Sequence, residues 1–151
     1  DQTLAAGQTV MVRSECLGDL GVKETGGFKS LFDMGLTGTH DFPWTSGKLF
    51  HPDLPFLEAL DIDLVDAVSV QEISTDATRI TYYKEVLGAQ IESMEGAALH
   101  YVGLMEKKAF FQLRAISNQA GERNKQKWWM QDAITGLNNT LQQLLFKLHN
   151  Q

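Results

Sequence analysis

The sequence predicts an α/β fold built on a mostly parallel sheet. Four short runs rich in β-branched and aromatic residues, each bounded by turn residues, read as strands buried on both faces. Through the second half of the chain, helical patterns alternate with those runs, which is the order that builds parallel sheets. The composition supplies enough core: 43% of the 151 residues are hydrophobic and 21% are charged. Because no repeat, heptad run or Pro/Ser-rich linker divides the chain, it reads as one domain or part of one.

The first strand is expected at Gln8 to Cys16, around Val10-Met11-Val12. Gly18 to Phe50 follows, Gly-rich and aromatic, with Pro43-Trp44 and no sustained period; irregular stretches of that length in compact domains are usually functional or cover an interface. Leu64 to Val70 is the second strand. Thr75-Asp76-Ala77-Thr78 opens a helix, with Thr75 or Ser74 as its N-cap. Ala89 to Met94 is the third strand. Gly96 to Lys108 is a helix, with Ala98, Val102 and Met105 on one face and Lys107-Lys108 at the end where cations oppose the dipole. Ala109 to Ser117 is the fourth strand. The last helix carries a stripe of Ile134, Leu137, Leu141, Leu144 or Leu145, and Leu148, so its apolar face is expected on the sheet. Trp128 and Trp129 are expected to pack that helix down.

Charge and composition narrow the functions. Lys and Arg total 13 against 19 Asp and Glu, a net charge of -6, so no basic stripe offers itself to nucleic acid. The apolar runs are far too short for a membrane span, and Asp1 to Gly7 lacks the pattern of a signal peptide. One cysteine, Cys16, cannot form an internal disulfide and reads as a small buried apolar residue; a reducing, cytoplasmic location is expected. His40, His51, His100 and His149 are scattered without an i, i+4 pair, so no metal site is expected, and no phosphate-binding glycine loop is present.

In α/β sheets ligands gather at the carboxyl ends of strands. Gln71-Glu72-Ile73, Ser93-Met94-Glu95-Gly96 and Ser117-Asn118-Gln119 each follow a strand, and the three clusters are expected to converge on one rim. Glu92-Ser93-Met94-Glu95-Gly96-Ala97-Ala98, followed by Arg114-Ala115-Ile116-Ser117-Asn118 and then Arg123 and Trp128, resembles the nucleosidase branch of the purine nucleoside phosphorylase superfamily. Within that branch the chain is most similar to the futalosine hydrolases. The resemblance runs from about Leu4 to Leu148 and includes Gly7-Gln8-Thr9-Val10-Met11-Val12 and the segment Asp19 to Leu36. It implies a three-layer fold, a mostly parallel or mixed sheet flanked by helices. It also implies that residues 1–151 are the C-terminal part of one such domain, since the family's first strands, its water-activating acid and its glycine-rich loop have no counterpart before Asp1.

The activity so implied is hydrolysis of the N-glycosidic bond of futalosine, releasing hypoxanthine, without cofactor or metal. The alternatives are a methylthioadenosine/adenosylhomocysteine nucleosidase, a purine nucleoside phosphorylase, or an assembly module that is catalytically incomplete. The resemblance assigns Glu95 to the ribose hydroxyls, where its carboxylate also faces the growing oxocarbenium charge, and Met94 to the sugar; taken alone, a Glu at a helix start merely favours the dipole. Asn118 stands where adenine-specific relatives carry an aspartate. Its amide cannot release a proton but offers two donors, which suits the N7 and O6 acceptors of hypoxanthine; a loop Asn can instead satisfy nearby backbone. Gln71, Glu72 and Ile73 match the segment that edges the base, and Arg123 could fork a 5′ carboxylate or make a surface pair with Glu122 or Asp132. The expected partners are a purine nucleoside and a second copy of the chain through Leu17 to Leu36, with Phe28, Leu31, Phe32 and Met34 supplying an apolar patch.

Overall fold

The computed structural model describes residues 3–53 and 61–149. Its strands are β1 (Thr9–Leu17), β2 (Gly21–Glu24), β3 (Gly27–Ser30), β4 (Leu49–Phe50), β5 (Leu64–Ser69), β6 (Ile91–Ser93) and β7 (Leu113–Ala115). Its helices are α1 (Ala77–Glu85), α2 (Gly96–Met105) and α3 (Met130–His149), with a 3-10 turn at Lys125–Lys127.

β1 is the spine of a five-stranded sheet. Val10, Met11 and Val12 are buried in succession, as a strand covered on both faces requires. β5 runs parallel to it, with Met11 beside Leu64 and Leu17 beside Ser69, and β6 runs parallel to β5. On the other edge of β1 two antiparallel neighbours share its length: β7 along Thr9–Met11 and β4 at Ser14–Glu15. The sheet is therefore mixed, with the parallel half on the β5–β6 side. The fourth expected strand is shorter than Ala109 to Ser117, although backbone pairing with β1 extends it: Val12 N–H donates to Gln112 O at 2.9 Å and Ile116 N–H to Gln8 O at 2.9 Å.

A bulge between Val12 and Ser14 turns Arg13 outward, where its guanidinium forks Asp66 at 3.0 and 2.7 Å. Burial alone would raise the Asp66 carboxyl, but Arg13, Ser14 and Lys48 together hold it below the usual range. The bulge also delivers Ser14, Glu15 and Cys16 to the interior one after another.

Gly18 to Phe50 is not wholly irregular. β2 and β3 form a two-stranded antiparallel hairpin with almost every residue exposed, and its ends are tied by Lys29–Glu24 at 2.8 Å. Beyond it, Trp44 packs edge-on to Phe32 at 5.2 Å and joins Leu49 and Ala97 in a small core. α1 is capped by Asp76, not by Thr75 or Ser74: its carboxylate accepts from Thr78 and Arg79 N–H at 2.7 and 3.0 Å. Tyr83 of α1 packs on Cys16, Val68 and Val70.

Two helix faces differ from expectation. On α2 the buried residues are Gly96, Ala97, His100 and Gly103, whereas Val102 and Met105 face outward, Val102 with 58% of its surface exposed. On α3 Ala133 and Leu144 are buried, and Gly136 lies so close to Gly7 that a Cβ would stand 2.5 Å from its carbonyl oxygen. A Cβ on Gly103 would likewise meet the Phe110 ring at 2.3 Å. The points of closest approach are thus glycines and alanines, while His100 on α2 and Leu144 of the expected stripe on α3 are also fully buried. Ile134, Leu141, Leu145, Leu148 and Trp129 are left exposed. Among the described residues no helix is long and apolar enough to cross a membrane.

Candidate active site

α2 begins at the carboxyl ends of β5 and β6, and among the described residues its first turn is where buried polar side chains gather. Glu15 of β1 is fully buried beneath it. Its carboxylate accepts from Gln112 Nε2 at 2.9 Å, Ser69 Oγ at 3.0 Å and Ser93 Oγ at 3.4 Å. Burial pushes this carboxyl above its ordinary pKa, and those donors pull it back only in part. The same two serines accept from the helix: Ala97 N–H reaches Ser69 Oγ at 2.8 Å and Gly96 N–H reaches Ser93 Oγ at 3.3 Å.

Glu95 is the N-cap residue of α2, yet its side chain makes no capping bond. With 75% of its side chain exposed, it lies 3.6 Å from the Arg114 guanidinium on β7. Met94 beside it is also exposed. A carboxylate held at a helix start, open to solvent and steadied by one arginine, can accept hydrogen bonds from a vicinal diol and lower the energy of a nearby developing cation.

The other two clusters are placed differently. Gln71 and Glu72 direct their backbone N–H groups onto Asp19, at 2.8 to 3.0 Å, so the Asp19 carboxylate organises that loop. Their side chains and that of Ile73 are exposed, and Glu72 pairs with Arg79 at 3.3 Å. Asn118 is half-buried, with its amide turned onto its neighbours: Ser117 Oγ donates to Oδ1 at 2.8 Å, and Nδ2 donates to Gln119 O at 3.1 Å.

The three clusters leave strands of different direction: β5 and β6 end beside Leu17, whereas β7 runs antiparallel to β1 with Ala115 beside Thr9. Arg114 of β7 nevertheless reaches the Glu95 carboxylate at the start of α2. Arg123 is exposed and makes no ion pair among the described residues; its expected partner Glu122 bonds Lys127 instead, at 2.9 Å.

Glu15, Ser69, Ser93, Gln112, Arg114 and Asp19 were given no role by the sequence. A glutamate and a glutamine inside strands that are otherwise buried on both faces were the available signal, since such groups are buried only with partners. Cys16 is buried as expected and its thiol is pushed up to about 12, mainly by desolvation. His100, buried in α2, donates through Nδ1–H to Leu49 O, 2.9 Å away. A cleft of about 320 Å³ lined by His40, Phe42, Trp44, Phe50, His51 and Leu104 lies at the carboxyl end of α2, the other end from Glu95.

Comparison with known proteins agrees with this architecture. No family model matches the chain. It is 31% identical over 142 residues to futalosine hydrolase of Thermus thermophilus, an alignment that takes in 92% of this chain and 61% of that protein. The chain thus spans about three-fifths of the length of the curated relative it matches. A solved MTA/SAH nucleosidase superposes with a TM-score of 0.73 at 13% identity, over 98% of this chain and 57% of its own. Native futalosine hydrolase of Helicobacter pylori superposes with a TM-score of 0.64 at 12% identity, over 95% and 63% respectively. The sequence relative and the solved folds point the same way: the chain is similar in sequence to a futalosine hydrolase and shares the fold of solved MTA/SAH nucleosidase and futalosine hydrolase chains.

Proposed function

We propose that the chain contributes the ribose- and base-binding side of a purine nucleosidase that hydrolyses futalosine and releases hypoxanthine. The observation that carries this reading is Glu95: exposed, uncapped, at the start of α2 and 3.6 Å from Arg114. In the reaction the C1′–N9 bond breaks, its electron pair leaves with the purine, and water adds its oxygen to C1′. Glu95 accepts from the 2′ and 3′ hydroxyls and opposes the charge on the sugar, with Met94 against the ring. Asn118 donates from its amide to the 6-oxopurine, which requires its Nδ2 to leave Gln119 O when substrate enters. Gln71, Glu72 and Ile73 edge the base, and Arg123, free of a pairing carboxylate among the described residues, takes the carboxylate on the 5′ side.

None of these residues activates the water. The family resemblance places that acid in a part of the domain without a counterpart here, so the reading includes residues 1–151 as the C-terminal part of that domain. A second reading, an assembly module needing another polypeptide, is favoured by the outward apolar faces of α2 and α3. Both readings include a cytoplasmic homodimer formed through the exposed Leu20, Val22, Phe28, Met34 and Leu36.

The deciding experiment measures hypoxanthine release from futalosine, with and without inorganic phosphate, by this chain and by a chain extended at its N-terminus. Phosphate-independent release supports the hydrolase. Phosphate dependence would replace it with a phosphorylase, and silence of both chains on futalosine alongside turnover of methylthioadenosine would replace the substrate. Release only by the extended chain supports residues 1–151 as the C-terminal part of the domain, and silence of both chains on every nucleoside supports the second reading. Sedimentation as a monomer would remove the dimer.

A further inference from the structure

A helix leaves its first N–H groups without internal partners, and the N-cap side chain ordinarily takes one of them. α2 departs from this rule in an informative way. Its N-cap, Glu95, makes no such bond, and the first two amides are taken by Ser93 and Ser69 from the neighbouring strand ends. Each hydroxyl has a single proton. With an N–H donor already on its oxygen, that proton must find an acceptor, and the acceptor is Glu15 in both cases. Two short relays result, each running from helix N–H to serine hydroxyl to carboxylate. The serine oxygens are 3.3 Å apart, and a proton passed between them would be withdrawn from Glu15. Gln112 closes the carboxylate from the far side.

Gly96 makes this arrangement sterically possible. A Cβ there would stand 1.7 Å from Glu15 Oε1 and 2.9 Å from Gln112 Nε2, so the carboxylate is pressed directly against the helix backbone. We propose that Glu15 is a positioning residue for Glu95: by accepting both serine protons it fixes Ser69 and Ser93 as the caps of α2, which leaves the Glu95 carboxylate uncapped and aimed outward for a ligand. Glu15 touches no substrate. The inference deepens the nucleosidase reading and rests on it where it names the ribose as what Glu95 meets.

The test uses Glu15→Gln and Ser69→Ala in the full chain, alongside Glu95→Gln and the double variant Glu15→Gln/Glu95→Gln. Two quantities are read: kcat and KM for hypoxanthine release, and hydrogen exchange at the Gly96 and Ala97 amides relative to the β1–β5 ladder. Glu15→Gln and Ser69→Ala should each lower kcat by roughly tenfold, the worth of a buried charge-assisted hydrogen bond, and should speed exchange at both amides while the ladder keeps its protection. The double variant should be no slower than Glu95→Gln alone, because groups that act through one another are not additive. Additive losses, or unchanged exchange at Gly96 and Ala97, would overturn the proposal. If Glu15→Gln does not fold, Ser69→Ala, which loses one hydroxyl, carries the same expectations. If neither the unaltered chain nor the chain extended at its N-terminus releases a purine from any nucleoside, the nucleosidase reading fails by itself. Exchange at the two amides then decides: faster in the variants upholds the capping role, and unchanged rejects it.

Discussion

The two polar regions assigned to the site are built in opposite ways. Around Glu15 of β1, five side chains and backbone groups from β5, β6, α2 and the approach to β7 meet in a volume closed to water, and the carboxylate oxygens accept from three of them. Around Asn118 the bonds are local, from Ser117 and to Gln119, in a half-buried loop. The first region is fixed before any ligand arrives, since breaking a bond inside it would strand a buried polar group. The second can exchange its bonds for those of a ligand at little cost. The proposed nucleosidase reading needs both: a rigid mount for the group proposed to face the sugar, and an adaptable donor for the base.

The sharpest way to break the rigid half is Gly96→Ala. The added methyl would stand 1.7 Å from a carboxylate oxygen that has no free direction to retreat. A loss of about 3 kcal/mol in unfolding free energy is expected, at the upper end for overpacking in a filled interior. Urea unfolding would measure it, and a loss below about 1 kcal/mol would show that the mount yields.

Protonation tests the same helix more gently. His100 lies one turn further along α2, and burial pushes its imidazole down to about 4, with the Leu49 carbonyl opposing this in part. In the unfolded chain a histidine titrates near 6.5. The unfolded state therefore binds the proton first, and stability should fall by up to about 3 kcal/mol as pH drops from about 6.5 to about 4. Glu15 acts in the opposite sense. Its folded carboxyl titrates above the ordinary value, so its contribution is greatest below that value and declines as pH rises. Thermal unfolding between pH 4 and 7 should follow the histidine trend and flatten in His100→Asn. A slope that survives in that variant would assign it to other groups.

Much of this was legible in the sequence, and the exceptions have physical causes. β1, β5 and β6 could be read because Val10-Met11-Val12, Ala67-Val68 and Ile91 are apolar in runs that only a two-sided burial explains. The β2–β3 hairpin could not, because its residues are almost all exposed and leave no apolar period. The buried faces of α2 and α3 were misread since glycine and alanine carry little weight in a hydrophobic stripe, although they are what permits helix and sheet to touch. The direction of β7 was also hidden. A strand after a helix suggests a parallel neighbour, but this one joins the opposite edge of β1 and runs backwards. Glu95 and Asn118 themselves were found through family resemblance, not through periodicity.

The adaptable half should respond to substitution in specificity and barely in stability. Asn118→Asp replaces the donor proposed to meet a 6-oxopurine with a carboxylate, and on that proposal should shift the ratio of kcat/KM toward adenine nucleosides by about tenfold or more, as mismatched polar groups in a site allow. An unchanged ratio would sink the base-recognition role. Ser117→Ala is the smallest perturbation: it removes only the hydroxyl that donates to Asn118 Oδ1. Stability should stay within about 0.5 kcal/mol, and the hypoxanthine-to-adenine ratio should hold, because the proposed contact to the base is made by Nδ2 and not by the Oδ1 that Ser117 holds. Should Ser117→Ala change base preference as much as Asn118→Asp does, the loop would be preset like the Glu15 cluster, and the contrast between the two regions would collapse into a single rigid site.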